Sequence, residues 1–127
     1  MIRLATLTNV TTDEVLSTTV RYAATAAERL VGALRERALA PGDGIWLEPC
    51  SAIHTFGMRA TIDVILLDAR RTVLALRPGI KPNRPLVGHR RARAVVEMGA
   101  GFLRTARIAV GDRLHLVDSR LPADARE

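Results

Sequence analysis

The sequence predicts a mainly β (α+β) domain of about seven to eight strands with one main α-helix. Three observations lead there. Residues 62–67 form an apolar run rich in β-branched side chains, too short for a helix and typical of a strand covered on both faces. Several other short apolar segments alternate with turn residues along the chain. Only one segment, residues 25–37, carries a sustained helical period. With 127 residues, the chain suffices for one domain with a real core. That domain is expected to span residues 1–117, followed by a polar, flexible C-terminal tail over 118–127.

In chain order, Ile2 to Thr8 reads as a strand, and Val15 to Val20 as its hairpin partner across a turn at Asn9 to Asp13. Thr25-Ala26-Ala27-Glu28 matches a capping box, in which the hydroxyl and the carboxylate each satisfy a free backbone N–H. Ala27, Leu30, Val31 and Leu34 follow at helical spacing. Gly32 costs ~1 kcal/mol there against Ala, which close packing on a sheet would explain. Pro41 to Gly44 is a turn, Ile45 to Leu47 a short strand carrying the only Trp. Asp68 to Arg71 turns the chain from residues 62–67 into a strand over Thr72 to Leu76. Pro78 to Arg91, with three prolines and two glycines, reads as an irregular, mobile loop. Ala92 to Met98 is a strand, Phe102 to Arg107 a helical turn, Ile108 to Val110 leads to a turn at Gly111-Asp112, and Leu114 to Leu116 closes the sheet.

The chemistry concentrates between Cys50 and Asp68. This stretch holds the only cysteine, one of three histidines and a carboxylate inside the most apolar run. Alternation places Asp63 on one face with Ile65 and Leu67. A carboxylate there needs hydrogen bonds or a cation. It is either a structural acceptor that orders a neighbouring loop, here the one around His54, or a general base or ligand. If the preceding segment is extended, His54, Phe56 and Met58 share a face as a pocket wall. Cys50 and His54 stand four apart, a spacing that suits a metal pair on a helix, but the segment is not helical. No second cysteine follows, so no metal site is expected. Cys50 is then a small buried hydrophobe or half of a Cys-His dyad. No nucleophile elbow, P-loop or metal signature is present.

Three separated motifs carry a resemblance. The first is Ile53-His54-Thr55-Phe56-Gly57-Met58 with Ile62-Asp63-Val64-Ile65-Leu66-Leu67-Asp68. The second is Arg29-Leu30-Val31-Gly32-Ala33-Leu34-Arg35-Glu36-Arg37. The third is Val96-Glu97-Met98-Gly99-Ala100-Gly101 with Gly111-Asp112. Together they resemble the domain of unknown function 192 family of small bacterial and archaeal proteins. Two departures stand out: Thr61 replaces the usual proline before the central strand, and Ala33-Leu34 replace a Leu-Met pair. The resemblance implies a barrel-like or sandwich β domain and no assigned activity. It brings His54, Thr55, Met58, Asp63 and Glu97 into one candidate ligand-binding site, with Arg29 and Arg59 as charge partners.

Composition bounds the function classes. The net charge is +6 and, among the 19 cationic residues, only Lys81 is a lysine. From Ala69 to Val96 the chain has no acid but carries Arg70, Arg71, Arg77, Lys81, Arg84, Arg90, Arg91 and Arg93. Such a stretch is a solvated face or a surface for an acidic partner. Nucleic acid is not an expected partner, because only 3% of residues are aromatic and stacking needs exposed rings. No apolar run approaches a membrane span and no signal peptide is evident, so a cytoplasmic location is expected. No cofactor is expected. The leading expectation is a module that binds a small ligand or peptide at a pocket around His54 and Asp63. The alternatives are an enzyme using Cys50 or His54 with Asp63 or Glu97, and an interaction protein using the basic loop.

Overall fold

A computed structural model describes residues 3–23 and 39–118. The expected helix over 25–37, with Arg29 and Gly32, lies outside them. Among the described residues are nine strands: β1 (Arg3–Asn9), β2 (Glu14–Ala23), β3 (Asp43–Leu47), β4 (Ala52–Ile53), β5 (Ile62–Leu67), β6 (Val73–Ile80), β7 (Val87–Gly88), β8 (Ala94–Gly99) and β9 (Leu114–Asp118). A one-turn helix, α1, spans Phe102–Thr105. Seven strands make one mixed sheet in the order β6-β5-β8-β3-β2-β1-β9, and β4 pairs with β7 in a second, two-stranded sheet. Only β2 and β3 run parallel within the large sheet. The sheet is not closed into a barrel, but an isolated bridge between Thr72 and Arg113 joins its two edges at one end.

β5 is buried at all six positions. Its alternating side chains feed two separate cores. Ile62, Val64 and Leu66 join a cluster with Ile45, Leu47, Ile53, Met58, Val87 and Val95. Ile65 and Leu67 join one with Leu7, Val20, Trp46, Val96 and Phe102 on the other face. Each fully buried aliphatic chain contributes about 1.5–3 kcal/mol, so this strand anchors both layers. Close approach replaces side-chain packing at two glycines. A Cβ on Gly99 would collide with the carbonyl of Ala40, and one on Gly44 with the sulfur of Met98.

Three expectations change. Residues 78–80 belong to β6 despite Pro78, because β6 is an edge strand and one missing N–H there breaks no ladder. β7 lies within the segment read as irregular and pairs with β4. Ile108 to Val110 leads into a turn, where Asp112 Oδ2 accepts the Ala109 N–H at 2.9 Å. β9 runs through Asp118, opposite Ala5, one residue past the expected domain boundary.

The β1–β2 turn is organised by Asn9, which is fully buried. Its Nδ2 donates to Arg107 O at 3.0 Å and Asp112 Oδ2 at 2.9 Å. Its Oδ1 accepts the Thr11 and Thr12 amides at 3.1 and 3.3 Å. Asn9→Ala strands these partners and is expected to cost about 2 kcal/mol or more. Urea denaturation checks this; an unshifted midpoint would refute it.

Candidate functional site

The site is best built outward from Thr55, which has no exposed surface. β4 ends at Ile53, and Gly57, with φ 78°, turns the chain soon after. Between them Thr55 faces inward while His54 and Phe56 face solvent. The Thr55 hydroxyl donates to Lys81 O at 2.8 Å and accepts the Arg84 amide at 2.7 Å. Its backbone N–H reaches Arg84 O at 2.9 Å, and its carbonyl accepts Asn83 N–H at 2.9 Å. β4–β7 pairing, Ala52 with Gly88 and Ile53 with Val87, continues the tie. The basic stretch after β6 is therefore clamped onto the His54 segment, where an irregular, mobile loop was expected.

The clamp presents an apolar surface with a cationic rim. Phe56 is 53% exposed and Leu86 is 70% exposed. The His54 and Phe56 rings lie 5.5 Å apart, tilted by 37°, and His54 Nδ1 accepts the Phe56 amide at 3.3 Å. Arg59, Lys81 and Arg84 are exposed on the same two segments. None of them forms an ion pair among the described residues. Phe56 was read from sequence as sharing a face with His54; Leu86 was not singled out, and its only signal was a large apolar residue beside a Pro in turn-rich context.

Asp63 is 2% exposed and lies on the opposite side of the sheet. Oδ1 accepts Gly79 N–H at 2.9 Å, and Oδ2 accepts Leu103 N–H at 2.9 Å. The first bond holds edge strand β6; the second satisfies a free amide in the first turn of α1. So the structure makes Asp63 a structural acceptor, but for β6 and α1 and not for the loop around His54. A cavity of about 470 Å³ is bordered by Asp63, Gly79, Leu103 and Arg104. His54 and Asp63 do not share it: Asp63 follows Ile65 and Leu67 into one layer, while Ile53 and Met58 belong to the other.

The remaining expected site residues divide the same way. Met58 is buried in the layer of Ile53 and Val87. Glu97 is fully buried and, by alternation with Val95, faces that same layer between Ile45 and Val64. Arg29 lies outside the described residues. Cys50 and His54 flank β4 at its two ends; the Cys50 thiol donates to Ala52 O at 3.2 Å. Cys50 is half-buried, not fully buried. No group of three or more His, Cys, Asp or Glu among the described residues could hold a metal ion. No helix among them is long and apolar enough to cross a membrane.

The family model described as Uncharacterized ACR, domain of unknown function 192, matches residues 7–116. A Novosphingobium aromaticivorans protein of unknown function has a similar structure, with a TM-score of 0.71 and 19% identity over 90% of this chain and 84% of its own. A Sinorhizobium meliloti protein, described as a "putative transcription regulator", has a TM-score of 0.73 and 17% identity over 91% of this chain and 94% of its own. No curated protein matches.

Two substitutions separate scaffold from surface. Asp63→Ala leaves the part-buried Gly79 and Leu103 amides without their acceptor and is expected to cost about 2 kcal/mol or more; an unchanged thermal melt would count against it. Thr55→Val preserves shape and removes the hydroxyl. Hydrogen exchange is expected to quicken at the Arg84 amide, with little change at β5; unchanged protection there would dismiss Thr55 as the clamp.

Proposed function

We propose, for a chain that belongs to the domain of unknown function 192 family, that it is a binding module recognising acidic peptide segments with apolar side chains. The observation that carries this is the exposure of Phe56 and Leu86 on two segments that buried Thr55 holds together. Exposed large apolar side chains on a fixed scaffold suit partner binding, because little ordering entropy is lost on contact. The rim supplies the sign of the partner. Arg59, Lys81 and Arg84 are exposed on the same two segments, and no acid occurs from Ala69 to Val96. An acidic peptide gains steering and register from those charges and affinity from the buried rings.

This reading keeps the expected binding module, moves its centre to His54, Thr55, Phe56 and Leu86, and leaves Asp63 as support. It also merges the basic loop of the interaction reading with the pocket wall of the ligand reading. The likeness to the Sinorhizobium meliloti protein, at 17% identity, carries the fold and not a role in transcription.

Fluorescence polarisation with a labelled peptide alternating Glu and Leu, against its Lys-Leu counterpart, tests the proposal. The acidic peptide is expected to bind and the basic one not. Phe56→Ala and Leu86→Ala are each expected to weaken binding about tenfold without altering the melting temperature. Equal binding of both peptides, or full affinity in both variants, would reject the assignment.

A further inference from the structure

A second feature lies away from the Thr55 clamp. The turn between β5 and β6 and the connection between β7 and β8 enclose a cavity of about 280 Å³. It is lined by Asp68, Ala69, Arg70, Arg90, Arg91 and Arg93. We propose that this cavity binds the phosphate group of a small phosphorylated ligand.

The charge arrangement argues for a bound anion. Four arginines from two separate chain segments line one concavity. None forms an ion pair among the described residues, whereas Arg71 and Arg107 do pair, with Glu48 at 3.2 Å and Glu14 at 3.5 Å. The one acid present, Asp68, is committed to its own turn: Oδ1 accepts the Arg70 amide at 2.8 Å and the Thr72 amide at 3.0 Å. Four cationic side chains against a single carboxylate leave a net positive local potential, and a multiply charged oxyanion relieves it. Arginine suits this ligand because its planar fork donates two parallel hydrogen bonds to phosphate oxygens.

Both walls are fixed before any ligand arrives. Arg93 N–H donates to Leu67 O at 2.7 Å, tying the β7–β8 connection to the end of β5. Ala92 N–H donates to His89 O at 2.9 Å, and Arg91 N–H to His89 Nδ1 at 3.0 Å. The guanidinium of Arg93 is itself oriented by a 2.9 Å bond from Nη1 to Ala92 O, which leaves its other N–H groups to donate. Opposite, Asp68 N–H and Arg71 N–H close the β5–β6 turn onto Thr72 O and Asp68 O at 3.0 and 2.9 Å. The volume admits a phosphate and the first atoms of what carries it, and falls short of a drug-sized ligand.

The probes are inorganic phosphate and phenyl phosphate, titrated by calorimetry into the full chain at constant ionic strength, with chloride as the balancing salt. Saturable binding at one site is expected for both, tighter for phenyl phosphate. Arg91→Gln and Arg70→Gln, on opposite walls and both exposed, are each expected to weaken it about tenfold with an unchanged melt. Phe56→Ala is expected to leave it intact, which separates this site from the peptide surface. Heat that fails to saturate, or affinity unaltered in both arginine variants, would overturn the proposal. So would duplex DNA binding through these arginines more tightly than either phosphate probe.

Discussion

The fold depends on one strand with no exposed face and on the carboxylate inside it. β5 sits between β6 and β8 and supplies side chains to both hydrophobic layers. An acid in that setting is costly to desolvate, and it persists because both oxygens accept backbone amides. The two amides belong to elements far apart in sequence: Gly79 on the edge strand and Leu103 in α1. Asp63 thus converts a desolvation penalty into a three-way tie among β5, β6 and α1. Backbone donors suit this role, since their positions are set by the ladder and the helix turn and lose little freedom when bonded.

The same alternation that buries Asp63 gives the two sides different structural roles. The layer of Ile65, Leu67 and Trp46 closes over Asp63 and the Asn9 network; polar groups there hold the chain to itself. On the other side, the small β4–β7 sheet rises over Ile62, Val64 and Leu66 and turns outward at Thr55. A threonine can do this where a serine would do less: its methyl group fills buried space while its hydroxyl serves two backbone groups. The result is a surface made of loops with the fixity of strands, which is the arrangement binding sites need.

Much of this was legible in the residues, and the limits are physical. Long or strongly patterned elements were readable: the β1–β2 hairpin, β5 and β8 follow from alternation, β-branching and turn residues. The burial of Asp63 followed from its neighbours. Its partners did not, because Gly79 and Leu103 reach it through tertiary pairing that no local pattern records. β4 and β7 have two residues each and pair only with each other, so no period could reveal them. The assumed alternation of His54, Phe56 and Met58 failed for a related reason. The chain leaves β-geometry right after Ile53, and the left-handed Gly57 shifts the phase, so Met58 turns inward while His54 and Phe56 turn out.

Pro78 shows how context reverses a residue's usual meaning. Proline argues against a strand because it lacks an N–H, yet at the sheet's edge the missing donor would have faced away from the ladder. Gly79, with φ 67°, then bends the strand so that its amide points back to Asp63. A non-glycine residue would be strained there, and the amide would be harder to aim. The Pro-Gly pair that reads as a loop in sequence is therefore a working part of the edge. It blunts β6 against pairing with other chains and delivers the donor that the buried carboxylate requires.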